Sequence, residues 1–258
     1  MKRHPDLQFA KPIRLDPKRA KNFNKAIIDD YFDKLEEFHA CFKGGIPPEH
    51  IWNMDEKGIQ MGGGRKNDGK KYIFLKGQWQ KYQLKSNNLE LVTVIECISA
   101  TGEVVPPSFC LQNGRMPDLS DVLPTDKWGR CISGCHVTIS KFTNYSSSLY
   151  LSESGWMDSM NCANWFRDIF IPFAKECRVD DTKPIVLTMD GHSTHETAEL
   201  ICAAYDLQDT EGVKVDVICF PSKTTHKCQP LDVLIFLAIE CQWQAVCKSY
   251  LRQCMDMN

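Results

Sequence analysis

"KPIVLTMDGHSTHE", residues 183–196, is the stretch whose reading decides the fold. Its first half is a continuous apolar run that closes on Asp190, the pattern of a strand buried on both faces of a sheet. Two histidines, His192 and His195, follow at once. Three readings of Asp190 compete: a metal ligand in a nuclease-type site, a member of a histidine-based metal site, or a turn residue after a strand.

Working outward, "THETAELICAAYD" (194–206) has helical spacing, "VKVDVICFP" (213–221) reads as a strand, and residues 231–251 read as a long amphipathic helix. Upstream, "IWNMD" (51–55) predicts a short buried strand, and "LELVTVIECIS" (89–99) and "VVPPSFCLQ" (104–112) two more joined by a turn at "ATGE". A polar stretch rich in Gly, Ser and Asp follows, with a short strand at "CHVTIS" and then a helix over 161–177. Residues 24–40 place Ile27, Ile28, Tyr31, Phe32, Leu35 and Phe38 on one helical face after an Asn24 cap. The linker "KGGIPPEH" then sets a boundary near residue 48, giving 1–48 and 49–258 as two units. Strands first, then strands alternating with helices, imply an α/β fold: a mixed sheet flanked by helices.

The chain has 258 residues, 43% hydrophobic and 25% charged, which is globular composition. A formal net charge of -2 excludes a uniformly basic nucleic-acid binder and leaves room for local patches. One such patch spans 65–85, where Arg65, Lys66, Lys70, Lys71 and Lys81 are interleaved with aromatic residues including Trp79. Cations neutralise phosphate and rings stack on bases, so these six are the candidate DNA contacts; the bland alternative is a solvated hairpin. Thirteen scattered cysteines, many inside apolar runs, predict buried reduced thiols in an intracellular protein. No apolar stretch is long enough to span a membrane.

Asp190 has two counterparts: Asp55 in "IWNMDEKG" and Asp232 in "KCQPLDVL". Each adjoins an apolar run next to a loop or helix start, where α/β sheets gather ligands. Converging carboxylates repel one another unless a hard cation neutralises them, and magnesium suits such oxygen donors. Glu56 points to the opposite face if the strand continues past Asp55. Taken singly, each aspartate is more often a cap or turn residue.

Together the three phrases "IWNMDEKGI", "LTMDGHSTHE" and "FPSKTTHKCQPLDV" resemble, in order, the motifs of DDE transposases of the pogo/Tigger-like branch, whose third acid is usually aspartate. The resemblance runs from about Ile51 to Tyr250. It implies an RNase H-like core with Asp55, Asp190 and Asp232 as catalytic, metal-holding residues. Two Mg²⁺ or Mn²⁺ ions would serve water, and then a freed 3′-hydroxyl, in attack on phosphodiesters. DNA is the implied partner, both transposon ends and target, with a homodimer as the candidate assembly and the nucleus as the location. His192 and His195 become candidates to contact the scissile phosphate or shape the loop beside the acids. "MKRHPDL" is similar to the end of that family's centromere-protein-B-like helix-turn-helix, so residues 1–48 are expected to be its remnant in a truncated chain. Where family members commonly carry Gly two residues after the third acid, this chain has Leu234, which would crowd the site if backbone approached closely there.

Two other functions stand beside this one. A decayed copy would keep the fold and act as a non-catalytic DNA-binding or interaction protein. A zinc hydrolase would recruit His192, His195, His226 and Cys228.

Overall fold

The computed structural model describes residues 23–61, 90–112, 135–137, 147–191 and 198–256, with isolated positions 17, 73, 76 and 77. The first element is helix α1 (Lys25–Ala40), capped by the Asn24 side chain, which accepts the Ile27 N–H at 3.1 Å. Past its end at Ala40, Gly44 and Gly45, both with positive φ, free the chain to turn toward the sheet.

Seven strands form that sheet: β1 (Ile51–Gln60), β2 (Leu91–Ser99), β3 (Ser108–Gln112), β4 (Cys135–Val137), β5 (Ser147–Ser152), β6 (Ile185–Met189) and β7 (Val215–Cys219). Their spatial order is β4-β5-β3-β2-β1-β6-β7. The β1–β2 and β2–β3 pairs are antiparallel hairpins; β1–β6, β6–β7 and β3–β5 are parallel. The mixed α/β sheet expected from the sequence is therefore present.

Alternation along β1 gives the sheet two unlike faces. Trp52 and Met54 point to one of them, with Ile95, Cys97, Leu187 and Met189 from neighbouring strands, and all are buried in one hydrophobic cluster. Against this face pack α2 (Ser159–Trp165) and α3 (Ile171–Glu176), joined through a π-helical turn at Phe166–Phe170, and α4 (Ala198–Glu211). Pro172 stands just after the π turn, where its missing N–H would break an ordinary helical ladder. Trp165 stacks on Phe170 at 5.6 Å, and Trp52 meets Phe170 edge-on at 5.9 Å.

The other face carries Asn53, Asp55 and Lys57. Short helix α5 (Thr225–Cys228), a second π turn (Leu231–Ile235) and the long α6 (Phe236–Asp256) cover it. Trp243 Nε1 donates to the Gln60 carbonyl at 2.9 Å, and Lys57 lies over the Phe236 ring and 3.7 Å from Glu240. At the entrance to β1, buried His50 ties the strand to the turn before β6. Its Nδ1 donates to Pro184 O at 3.1 Å, and its Nε2 accepts the Val179 N–H at 3.0 Å.

The observed elements differ from the expected ones in instructive ways. β1 runs to Gln60 rather than stopping at Asp55, because β2 pairs with it along its whole length from Trp52 to Gln60. β3 starts at Ser108 rather than residue 104, since Pro106 and Pro107 have no N–H to give a ladder. β5 lies in a stretch read as a polar connection; it joins the sheet beside β3 and buries Tyr150 completely.

Candidate active site

Register relates the first two acids. In the parallel β1–β6 pair, Asn53 stands opposite Thr188. Two residues further along the chain from each of these are Asp55, still within β1, and Asp190, the first residue past β6. Adjacent strands lie about 4.8 Å apart, and the paired ladder of β1 and β6 stops two residues short of both acids. Asp55 is buried, and its Oδ1 accepts the Glu56 N–H at 2.9 Å; Asp190 is half-buried at the first position past β6. Glu56 alternates to the opposite face, as expected, where it faces Cys110 and Cys162 electrostatically.

The turn that carries Asp232 is tied to β1. Asp232 is the second residue of the π turn opened by Pro230, and its side chain is exposed. The turn is fastened to β1 by two bonds. The Leu231 N–H donates to Asn53 Oδ1 at 3.3 Å, and the fully buried Gln229 donates through Nε2 to the Met54 carbonyl at 3.0 Å. A π turn widens the helix locally, and such bulges recur at functional sites. Leu234 is 69% exposed, so it lies at the surface and does not crowd the acids.

A fourth carboxylate that sequence reasoning overlooked faces this edge. Glu96 on β2 is the direct cross-strand partner of Asp55. Burial pushes its carboxyl up to about 7, so near neutrality it is part-protonated beside the ionisable pair. Asn53, Thr188 and Gln229 were also overlooked. The signal was present in the two-residue spacing that puts Asn53 and Thr188 on the face of Asp55 and Asp190.

The donor chemistry fits an oxygen-seeking cation: the oxygen donors are carboxylates and the Gln229 Oε1, which is buried without a hydrogen-bond partner. The spacing is more open than a closed coordination shell. Among the described residues no three His, Cys, Asp or Glu stand close enough to hold a metal ion, which covers Asp55, Asp190 and Asp232 as well as Asp190, His226 and Cys228. His226 instead sits with its ring nitrogens buried and unpartnered, its ring 5.8 Å from Phe23. His192, His195, Arg65, Lys66, Lys70, Lys71, Trp79 and Lys81 lie outside the described residues. No helix among the described residues is long and apolar enough to cross a membrane.

Comparison with known proteins bears on the family and the fold. The family model described as DDE superfamily endonuclease matches residues 88–256. No curated protein matches the sequence. Among solved structures, the chain is similar to the mariner Mos1 paired-end complex with Mg, at a TM-score of 0.53 and 11% identity over 97% of this chain and 60% of that one. It is likewise similar to the Mos1 mariner paired-end complex with Mn, at 0.52 and 10% over 98% and 60%. The Mos1 transposase paired-end complex with left transposon end gives 0.50 and 12% over 97% and 60%. At such identity the likeness shows the fold, an RNase H-like mixed sheet flanked by helices. The chain spans about 60% of the length of these transposase chains.

Proposed function

The chain belongs to the DDE superfamily endonucleases, and on that footing we propose that it is the strand-cleaving domain of a transposase, of the pogo/Tigger-like branch, acting on DNA in the nucleus. The observation that supports this reading is the parallel register that pairs Asn53 with Thr188, each two residues before an acid, with the Asp232 turn bonded to the same β1 strand. In this reading the acids gather where a scissile phosphodiester is presented. Water attacks phosphorus in line, the bond to the 3′-oxygen breaks, and the freed 3′-hydroxyl can attack a second strand. Asp55 and Asp190 are the residues that would hold a divalent ion, with Asp232 and the Gln229 amide oxygen closing in from the helix side. When bound, Mg²⁺ or Mn²⁺ supplies Lewis acidity for the phosphate and lowers the pKa of the attacking water. The Mos1 complexes with Mg and Mn support that choice of ion. Residues 1–48 belong to a helix-turn-helix DNA-binding region, the basic stretch 65–85 supplies phosphate contacts, and the assembly is a homodimer on transposon ends.

One observation favours a second reading, a catalytically silent DNA-binding protein of the same descent: the three acids as placed do not form a metal-holding group. Nicking of supercoiled plasmid by purified protein separates the two. The first reading expects nicking with Mg²⁺ or Mn²⁺ that disappears in Asp190→Ala. Equal nicking by both proteins would mark a contaminant. DNA retention without nicking under either ion would establish the second reading.

A further inference from the structure

Asn53 joins all three acid motifs. It is 5% exposed, and its side-chain amide is fully used. Nδ2 donates to both the carbonyl and the Oγ1 of Thr188, each at 3.2 Å. Oδ1 accepts the Leu231 N–H at 3.3 Å. Thr188 Oγ1 in turn donates to the Trp52 carbonyl at 2.8 Å, which closes the network back onto β1. Asn53 therefore stands two residues before the first acid, holds the residue two before the second, and holds the residue one before the third.

Every donor and acceptor in this network has a defined partner, and no other residue type of that length offers two N–H donors and a carbonyl at once. Aspartate would keep the bond from Leu231 and set a negative charge against the Thr188 carbonyl. Alanine would release all three bonds. The β1–β6 ladder itself stops at the Asn53–Thr188 pair, so beyond it side-chain bonds rather than backbone pairing hold the acid-bearing ends together. The Gln229 bond to Met54 anchors the helix start but makes no contact with β6. Asn53 itself spans from β6 to the Asp232 turn.

We propose that Asn53 is the positioning residue of this site: its amide fixes the spacing of the Asp55–Asp190 pair and the approach of the Asp232 turn, and thereby governs capture of the divalent ion. The proposal rests on the reading of the acids as an ion-dependent cleavage site. It makes Asn53 act through the carboxylates, without touching DNA or ion itself.

The test compares wild type with Asn53→Ala, Asn53→Asp and Thr188→Val, the last keeping Asn53 while removing one of its partners. His50→Ala is the control for lost stability, since His50 is buried at the far end of β1. Two readouts are taken: Mn²⁺ binding to the protein alone by titration calorimetry, and the Mn²⁺ concentration giving half-maximal nicking. The Mn²⁺ dissociation constant and the half-maximal Mn²⁺ concentration are both expected to rise at least tenfold in Asn53→Ala and Asn53→Asp and severalfold in Thr188→Val, while His50→Ala stays within twofold of wild type and DNA retention is unchanged in all. Unchanged Mn²⁺ affinity in the Asn53 and Thr188 variants overturns the proposal, as does an equal loss in His50→Ala. If Asn53→Ala does not fold, Thr188→Val decides the matter alone. Wild type that binds Mn²⁺ yet never nicks defeats the cleavage reading and leaves the calorimetric comparison to judge Asn53. Wild type that binds no Mn²⁺ defeats both.

Discussion

Glu96→Gln is the perturbation whose size follows most directly from the structure. Glu96 faces Asp55 across the β1–β2 ladder, and burial lifts its carboxyl from an ordinary value of 4.5 to about 7. In the unfolded chain the same group loses its proton near the ordinary value. Between those two values the folded protein keeps a proton that the unfolded chain has released, so rising pH favours unfolding. The stability is present in full below about pH 4.5 and is lost as pH climbs to about 7. A gap of roughly 2.5 units at 1.36 kcal/mol each gives about 3 kcal/mol, and residual solvent contact brings this to about 2–3 kcal/mol. Glutamine has nearly the same shape and no charge to lose. Urea unfolding of both proteins, in matched buffers from about pH 4.5 to pH 8 with a chelator present, reads the difference in ΔG directly. Other titrating groups cancel in that difference, which is expected to grow by about 2–3 kcal/mol in favour of Glu96→Gln as pH rises. A difference that stays flat across the range would refute the burial of Glu96.

Further outcomes follow from contacts away from the acids. His50→Ala strands the Pro184 carbonyl and the Val179 N–H, and should lower stability by about 2–4 kcal/mol in urea unfolding, with no change in the pH profile of nicking. Thiol labelling of native protein should modify the exposed Cys41, Cys202 and Cys241 and spare the buried Cys97, Cys110 and Cys162. Burial pushes Cys110 up to about 11 and Cys162 up to about 12, so mass mapping of the labelled sites should keep that order at pH 8 and lose it only in denaturant. Asn53→Ala should weaken Mn²⁺ binding at least tenfold while leaving DNA retention intact.

Some of this was legible in the residues alone and some was not, for reasons that differ by element. The run from Lys183 to Asp190 identified β6 because a strand covered on both faces must be apolar throughout. Trp52 and Met54 marked one face of β1 by alternation, and Asn24 announced the start of α1. β5 escaped because Ser147, Ser148 and Ser152 imitate a loop, although Ser148 pairs with Ser108 deep in the sheet. Neither π turn has a local sequence signature beyond a nearby proline. Asp55, Asp190 and Asp232 could be named from their motifs, but their relation depends on the pairing of β1 with β6, which no local pattern encodes. The bridging role of Asn53 is of the same kind. A buried amide reads as an ordinary strand residue until the fold places Thr188 and Leu231 on either side of it. Glu96 was hidden by its apolar neighbours, which are also the cause of its raised proton affinity.

The central claim is that Asp55, Asp190 and Asp232 work as one phosphoryl-transfer site. Plasmid nicking under Mg²⁺ or Mn²⁺, measured for wild type, the three single Asp→Asn variants and their pairwise combinations, tests it most directly. One site predicts that wild type nicks, that every single variant falls to a common floor, and that no pair falls lower. Wild-type protein that fails to nick under either ion, or a single variant that keeps the wild-type rate, would contradict it.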